Sequence, residues 1–274
     1  MSRHRRDYRP SLVAAAWLVT GLFCCTAATA SSVDRCLAVA NAPGLIQPAA
    51  YVSTALKSTE ARLTFVGHST FLIESPGGIR IATDYNDYIR PPVVPDIATM
   101  NRAHTSHFTD RPDAGIKHVL RGWDTAGGAA RHDLEVSDVR VRNVVTNIRD
   151  WSGGTQLYAN SIFVFEVGGL CIGHLGHLHH TLTPEHLAQI GQLDVALVPV
   201  DGSYTLDIPG MVEVVKNLRA RLIIPMHYFG AATLARFLDR VKGDFEIKES
   251  LAASVTVSRA TLPASPRVLV LPGA

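Results

Sequence analysis

The stretch GLCIGHLGHLHHTLTPEHLAQIGQLDVALVPV, residues 169–200, decides the fold class. Leu170 to Gly173 is a short apolar run that reads as a strand. Thr183 followed by Pro184 marks a helix start: the threonine hydroxyl caps free N–H groups of the first turn, and the fixed φ of proline suits that turn. Gly191 stops this helix, and Val195 to Val200 is apolar strand again. The alternation continues downstream. A helix from about Pro209 to Leu218 precedes a strand from Leu222 to Pro225, and Ala231 to Val241 sets Leu234, Phe237, Leu238 and Val241 on one helical face. Val268 to Leu271 reads as a closing strand.

Upstream of this stretch the pattern is β-rich. Leu63 to Val66 and Thr70 to Glu74 form two short strands about a Gly67-His68-Ser69 turn, and Ile79 to Thr83 follows a Pro76-Gly77-Gly78 turn. Strand-like runs recur at Val119 to Gly122, Val139 to Val145 and Ser161 to Val167. Asp84, His174, Asp201 and His227 each fall just past the carboxyl end of a strand. In α/β layers that edge gathers ligands, because the strand fixes the backbone while the following loop is free to hold a side chain.

The N-terminal thirty residues read as a signal peptide: a basic start, an apolar run from Leu12 to Cys25, and Ala28-Thr29-Ala30 as a small-x-small cleavage site. Residues 31–60 are then a mixed lead-in, and 61–274 one domain with enough chain to bury a large core. No later run approaches the roughly 20 apolar residues of a membrane-spanning helix, so a periplasmic or secreted protein is expected. The net charge of +2 is small and its charges are dispersed, which argues against a nucleic-acid track and for a small-molecule substrate. Nothing in the sequence fixes an oligomeric state. Export would permit a Cys36–Cys171 disulfide, but Cys171 lies in an apolar strand and reads better as a small buried hydrophobe.

Six of the twelve histidines crowd into two windows: His104 and His107 in AHTSHFTD, and His174, His177, His179 and His180 in GHLGHLHH. A lone histidine is usually a strand-end cap or a solvated side chain. Two clusters beside glycines and strand ends, with His227 in Ile-Pro-Met-His, point instead to a metal site. Neutral imidazole is the commonest protein ligand for zinc, and a spacing of three residues lets both rings of a pair face one point. His118, His132 and His186 read as structural or surface residues.

The segments LTFVGHSTFLIE, IRIATDY, NRAHTSHFTD, GLCIGHLGHLHHTLTPEHL, DVALVPVDGSYTLD and LIIPMHY, taken in that order, resemble the metallo-β-lactamase-like hydrolases. The similarity is greatest to the branch of ascorbate-6-phosphate lactonase and the phospholipase D that releases N-acylethanolamines. The resemblance implies an αββα four-layer sandwich of two mixed β-sheets with the metal at one edge. It assigns His104, His107 and His174 to a first metal, and Asp110, His177 and His227 to a second or shifted site, with Asp110 and His177 also in catalytic positions. Asp84 and His68 would hold ligand rings by hydrogen bonds. Asp201 in Asp-Gly-Ser-Tyr reads as a turn cap, and His179 and His180 are candidates to replace a missing ligand.

Departures from the family pattern are specific. The family reads His-x-His-x-Asp-His, whereas this chain has His104-x-x-His107-x-x-Asp110-Arg111, and His177 stands where the family places a metal-bridging aspartate. Neutral imidazole does not bridge two cations as a carboxylate does, so both one and two metals stay open. The nitrogen-rich donor set favours zinc over magnesium or calcium, although another divalent transition metal would suit it. The expected chemistry is attack of a metal-bound hydroxide on an ester, lactone, amide or phosphodiester. Ser69 and Ser106 lie outside any Gly-x-Ser-x-Gly elbow, and Tyr204, Tyr228 and His180 are candidates to protonate a leaving group. The alternatives are a non-catalytic periplasmic metal-binding or sensing protein with a closed ligand shell, and an oxidoreductase using iron. β-Lactam cleavage is not implied, since fold does not fix substrate.

Overall fold

The computed structural model describes residues 54–150 and 152–273. The signal-peptide reading and most of the lead-in lie outside these residues, as does Cys36. Two mixed sheets form the body. The first has six strands: β1 (Ala61–Gly67), β2 (Thr70–Glu74), β3 (Arg80–Ala82), β4 (Ile97–Met100), β5 (His118–Arg121) and β13 (Ser254–Val257), in the order β13-β1-β2-β3-β4-β5. The second has eight: β6 (Asp133–Val136), β7 (Val139–Arg149), β8 (Thr155–Val167), β9 (Leu170–His174), β10 (Val195–Pro199), β11 (Leu222–Met226), β12 (Glu246–Glu249) and β14 (Arg267–Val270), in the order β12-β14-β11-β10-β9-β8-β7-β6. β3, β4 and β5 run parallel in the first sheet, and β9, β10, β11, β14 and β12 run parallel in the second.

Residue alternation explains the layers. In β10, Val195 and Leu197 pack into the core between the sheets, while Ala196 and Val198 point to the other face and meet helices. The inter-sheet core holds Leu63, Phe65, Phe71 and Ile73 of the first sheet against Phe163, Phe165, Ile172 and Ile224 of the second. Three helices occur among the described residues: α1 (Pro184–Ile190), α2 (Ile208–Leu218) and α3 (Ala231–Val241). They bury Ile190, Met211, Val214, Phe237 and Val241 against the second sheet, which is why its parallel strands are apolar on both faces. The outer face of the first sheet is covered by Tyr85, Ile116, Trp123 and Phe108 from loops.

Helix boundaries match the capping chemistry. The Thr183 hydroxyl accepts from the His186 N–H, and the His186 ring accepts the Thr183 N–H in return, closing a capping box before Pro184. Four strands fall outside the runs read from the sequence: β4, β6, β12 and β13 are each four residues long, and β6, β12 and β13 are largely solvent-facing. His118 opens β5, and the His132 ring donates to the Arg121 carbonyl at 2.7 Å, both consistent with structural roles. Cys171 is half-buried in β9 against the helix-side core.

Two buried asparagines brace one edge of the sandwich, and Asn101 links the two sheets there. Asn101, just past β4, accepts from the Ser161 N–H of β8 at 2.7 Å and donates to Asp84 at 3.0 Å. Asn160 of β8 accepts from the His177 N–H at 2.7 Å and donates to Thr146 at 2.7 Å. Gly176, at φ +60°, makes room for both: a Cβ there would collide with the Asn101 and Asn160 amides. Gly176→Ala is therefore expected to cost about 2–4 kcal/mol from overpacking and left-handed strain combined. Urea unfolding of the purified variant checks this, and a loss below about 0.5 kcal/mol would contradict the crowding.

Candidate metal centre

The carboxyl ends of β3, β4, β9, β10 and β11 converge at this edge and carry Asp84, the His104–His107 loop, His174 and His177, Asp201, and His227 in turn. The β1–β2 turn adds His68 and Ser69. Asp84, His68 and His227 all have positive φ, at 43°, 51° and 54°. Such backbone is costly for residues other than glycine, and here it is held by tertiary bonds, among them the His227 N–H to the His68 carbonyl at 2.6 Å.

Four imidazoles meet: one ring nitrogen from each of His104, His107, His177 and His227 lies within 4.8 Å of the others. Their tautomers are set from outside the cluster. His107 Nδ1 bonds Asp84 Oδ2 at 2.6 Å, and His227 Nδ1 bonds Asp201 Oδ1 at 3.1 Å. An ionised carboxylate only accepts, so each Nδ1 carries the proton, and in the neutral ring that a metal requires each Nε2 then carries a lone pair. Those two Nε2 atoms face one another at 3.2 Å. Two lone pairs at that distance repel unless a cation lies between them, and about 3.3 Å is the edge of a tetrahedron with metal–nitrogen bonds of about 2.0–2.1 Å. In His104 the Nδ1 bonds the Ser106 hydroxyl at 2.6 Å, which occupies that nitrogen and leaves Nε2 for the cluster, and the same hydroxyl reaches His68 Nε2 at 3.2 Å. His177 Nδ1 is buried and without a partner among the described residues. The donors fit a nitrogen-preferring transition metal.

Electrostatics agree. Burial, reinforced by the other rings, pushes the pKa of His107 and His177 well below the ordinary histidine value. Burial likewise lowers His104 and brings His68 to about 4. Neutral rings are what a metal requires. Burial raises the Asp84 carboxyl, offset in part by His174 and by the Asn101 amide. Burial would also raise Asp201, but hydrogen bonds from His227, Thr205 and Ser203 outweigh it and hold that carboxylate far below its usual range. Asp201 is thus both the turn cap expected, accepting from the Ser203 and Tyr204 N–H groups, and the partner of His227.

Two expected ligands are not brought to the cluster. His174 is buried, but its Nε2 donates to the Ser69 carbonyl at 2.8 Å and its Nδ1 accepts from the Gly176 N–H at 3.2 Å, so no lone pair is left for a metal. It clamps the two sheets together instead. Asp110 is exposed and lies outside the cluster: in the wider His104-x-x-His107-x-x-Asp110 spacing Thr109 is buried against Asp87 and Asp110 turns to solvent. His180 spends both nitrogens on backbone, donating to the Thr181 carbonyl and accepting from the Asn147 N–H. The Tyr228 hydroxyl bonds the Leu271 carbonyl, which leaves Tyr204 as the one proposed proton donor that faces the site's cavity. Asn101 and Asn160 carried no sequence signal as site residues; the place of Asn101 three residues before His104 is the only hint.

A cavity of about 350 Å³ opens beside the cluster, lined by His104, His177, His179, Ile148, Arg149 and Tyr204. Tyr204 and the exposed Phe229 pack at 5.5 Å on its rim, and Phe229 lies 5.8 Å from His68. A wider cleft of about 600 Å³ around His132 and His186 shares no residue with the cluster.

Residues 62–227 match the family model described as the β-lactamase superfamily domain. A relative from Thermoplasma volcanium, described as a metal-dependent hydrolase, is 31% identical over 225 residues, which is 72% of this chain and 93% of that protein. A Thermotoga maritima structure, assigned to the Zn-dependent hydrolases of the metallo-β-lactamase superfamily, covers 78% of this chain and 100% of its own at a TM-score of 0.57 and 29% identity. Igni18, a metallo hydrolase from Ignicoccus hospitalis, shares the fold at a TM-score of 0.51 and 20% identity, over 78% of this chain and 97% of its own. With the two-sheet sandwich and a histidine cluster at its edge, these matches place the chain in the β-lactamase superfamily of metal-dependent hydrolases.

Proposed function

We propose that this chain is an exported zinc hydrolase with one metal held by His104, His107, His177 and His227, acting on a small-molecule ester, lactone, amide or phosphodiester. The observation that carries the reading is the pair of facing Nε2 atoms of His107 and His227, 3.2 Å apart, with a carboxylate behind each ring. An all-nitrogen donor set without a carboxylate favours zinc among the common metals. Bound there, zinc would polarise a substrate oxygen and acidify a water to a pKa of about 7. Export is supported by the basic, apolar and small-residue order of residues 1–30.

The protein's own part is to hold and to orient. Asp84 and Asp201 fix the proton on the outer nitrogen of His107 and His227, and Ser106 orients the His104 ring through its Nδ1. Ile148 and Tyr204 in the cavity wall give an organic group an apolar surface beside the rings. No described serine sits in a nucleophile elbow, which favours attack by water over attack by a side chain.

One observation favours a second reading, in which the protein binds metal without turnover: four protein donors are enough to close a tetrahedral shell. Against it, a spread of up to 4.8 Å among the donor atoms is wider than the edge of about 3.3 Å that a closed tetrahedron needs, which leaves room for a water or substrate oxygen.

Two measurements separate these readings. Mass spectrometry of the purified protein is expected to find about one zinc per chain, falling below about a tenth in His107→Ala and His227→Ala, with hydrolysis of p-nitrophenyl esters, phosphodiesters or thiolactones lost in parallel. Stoichiometric zinc with no turnover on any of them would favour the binding protein, and full zinc content in both variants would refute the site. Asp201→Asn is expected to weaken zinc binding by about 10- to 100-fold through loss of the bond that orients His227. Competition with a chromogenic chelator reads this, and an unchanged affinity would remove Asp201 from that role.

A further inference from the structure

His179 and His180 follow the clustered His177 by two and three residues, and strand β7 fixes their rings. The Arg149 N–H donates to His179 Nδ1 at 2.7 Å, and the Asn147 N–H donates to His180 Nε2 at 3.2 Å. Both N–H groups come from the end of β7 where its pairing with β8 shifts register between Thr146 and Ile148, so both are free to meet side chains. His180 then completes its bonding on the Thr181 carbonyl. His179 does not. A ring nitrogen that accepts a backbone N–H keeps its lone pair there, so the proton of His179 sits on Nε2. That Nε2 is buried and has no partner among the described residues.

The same tautomer removes His179 from metal binding, because its one available lone pair is already used. What remains is a fixed N–H donor on a residue that lines the cavity of about 350 Å³ beside His104 and His177. Arg149 lines the same cavity, its Nη2 held by the Ser203 and Thr205 carbonyls at 3.2 and 2.7 Å. Asp150 also lies there, but its Oδ1 is taken by the Ser152 N–H and hydroxyl and by the Gly154 N–H. The clustered donors carry no negative charge of their own. A buried donor without an acceptor, a tethered guanidinium and neutral metal-ligating rings together suit an oxyanion.

We propose that His179 is a substrate-binding residue whose Nε2–H donates a hydrogen bond to an anionic oxygen of the substrate in this cavity, with Arg149 as counter-charge. The proposal rests on the hydrolase reading and narrows its substrates to those carrying a carboxylate or phosphate group beside the bond that is cleaved. Apolar substituents would lie against Ile148 and Tyr204.

Inorganic phosphate and acetate are the probes, titrated into the zinc-loaded full chain by calorimetry. His179→Phe, which lacks the donor, is expected to bind phosphate about tenfold more weakly at unchanged zinc content, the size expected for one hydrogen bond to a charged group. His179→Gln, which keeps a side-chain N–H, is expected to recover most of the affinity. Equal phosphate affinity in the Phe variant would overturn the proposal. So would loss of zinc from that variant, which would make His179 a support for His177 rather than a substrate contact. Acetate binding that falls in step with phosphate marks a general oxyanion site, whereas insensitivity of both to the substitution refutes one. Nitrogen-15 histidine spectra of the wild-type protein test the same point without any variant: the Nε2–H tautomer with a downfield shift on adding phosphate supports it, and the Nδ1–H tautomer refutes it. A wild-type chain that takes up no zinc would instead strike at the hydrolase reading.

Discussion

The bond from His107 Nδ1 to Asp84 Oδ2, 2.6 Å long and wholly buried, is the constraint on which the site depends. It places the proton on the outer nitrogen of His107 and turns the lone pair inward, where it meets the lone pair that Asp201 has turned inward on His227. Without the carboxylates, each ring could reverse its tautomer and the two nitrogens could share a proton. With them, the pair is held as a socket for a cation, and burial keeps His107 from relieving the strain by taking a proton.

The rest of the fold can be understood as support for that geometry. Asp84 comes from the first sheet and Asp201 from the second, so the socket is only as exact as the docking of the two sheets. Asn101 and His174 carry out that docking with buried hydrogen bonds from one sheet to the other, and Asn160 fixes the His177 loop onto the second sheet. Gly176 keeps the space in which the two amides lie. The left-handed backbone at His68, Asp84 and His227 is a local cost that such an over-determined edge can sustain.

Much of the fold was legible because helix and strand periods are unambiguous where layers are thick. The Thr183-Pro184 start and Gly191 stop bracket α1 to the residue, and the apolar runs at Val195 and Leu222 mark strands buried on both faces. The short strands β6, β12 and β13 were missed although Leu134, Val136, Ile247, Val255 and Val257 alternate inward, because four residues give that alternation too little length to stand out. At the site, histidine clustering pointed to the right loops, but which ring turns inward depends on hydrogen bonds between residues far apart in sequence. His174 and His177 stand three apart, and sequence favoured the first; the Ser69 carbonyl, 105 residues away, takes up its Nε2. Asp201 showed only its turn-capping half, since its partner His227 is 26 residues further on.

The most direct test is a crystal structure of the zinc-loaded protein with anomalous data at the zinc edge. The tautomers assigned to His107 and His227 predict one anomalous peak about 2.0–2.1 Å from both Nε2 atoms, with His104 and His177 completing the donors and His174 and Asp110 apart from it. A peak coordinated by His174, Asp110 or the Asp84 carboxylate, or no peak between His107 and His227, would contradict the four-histidine centre.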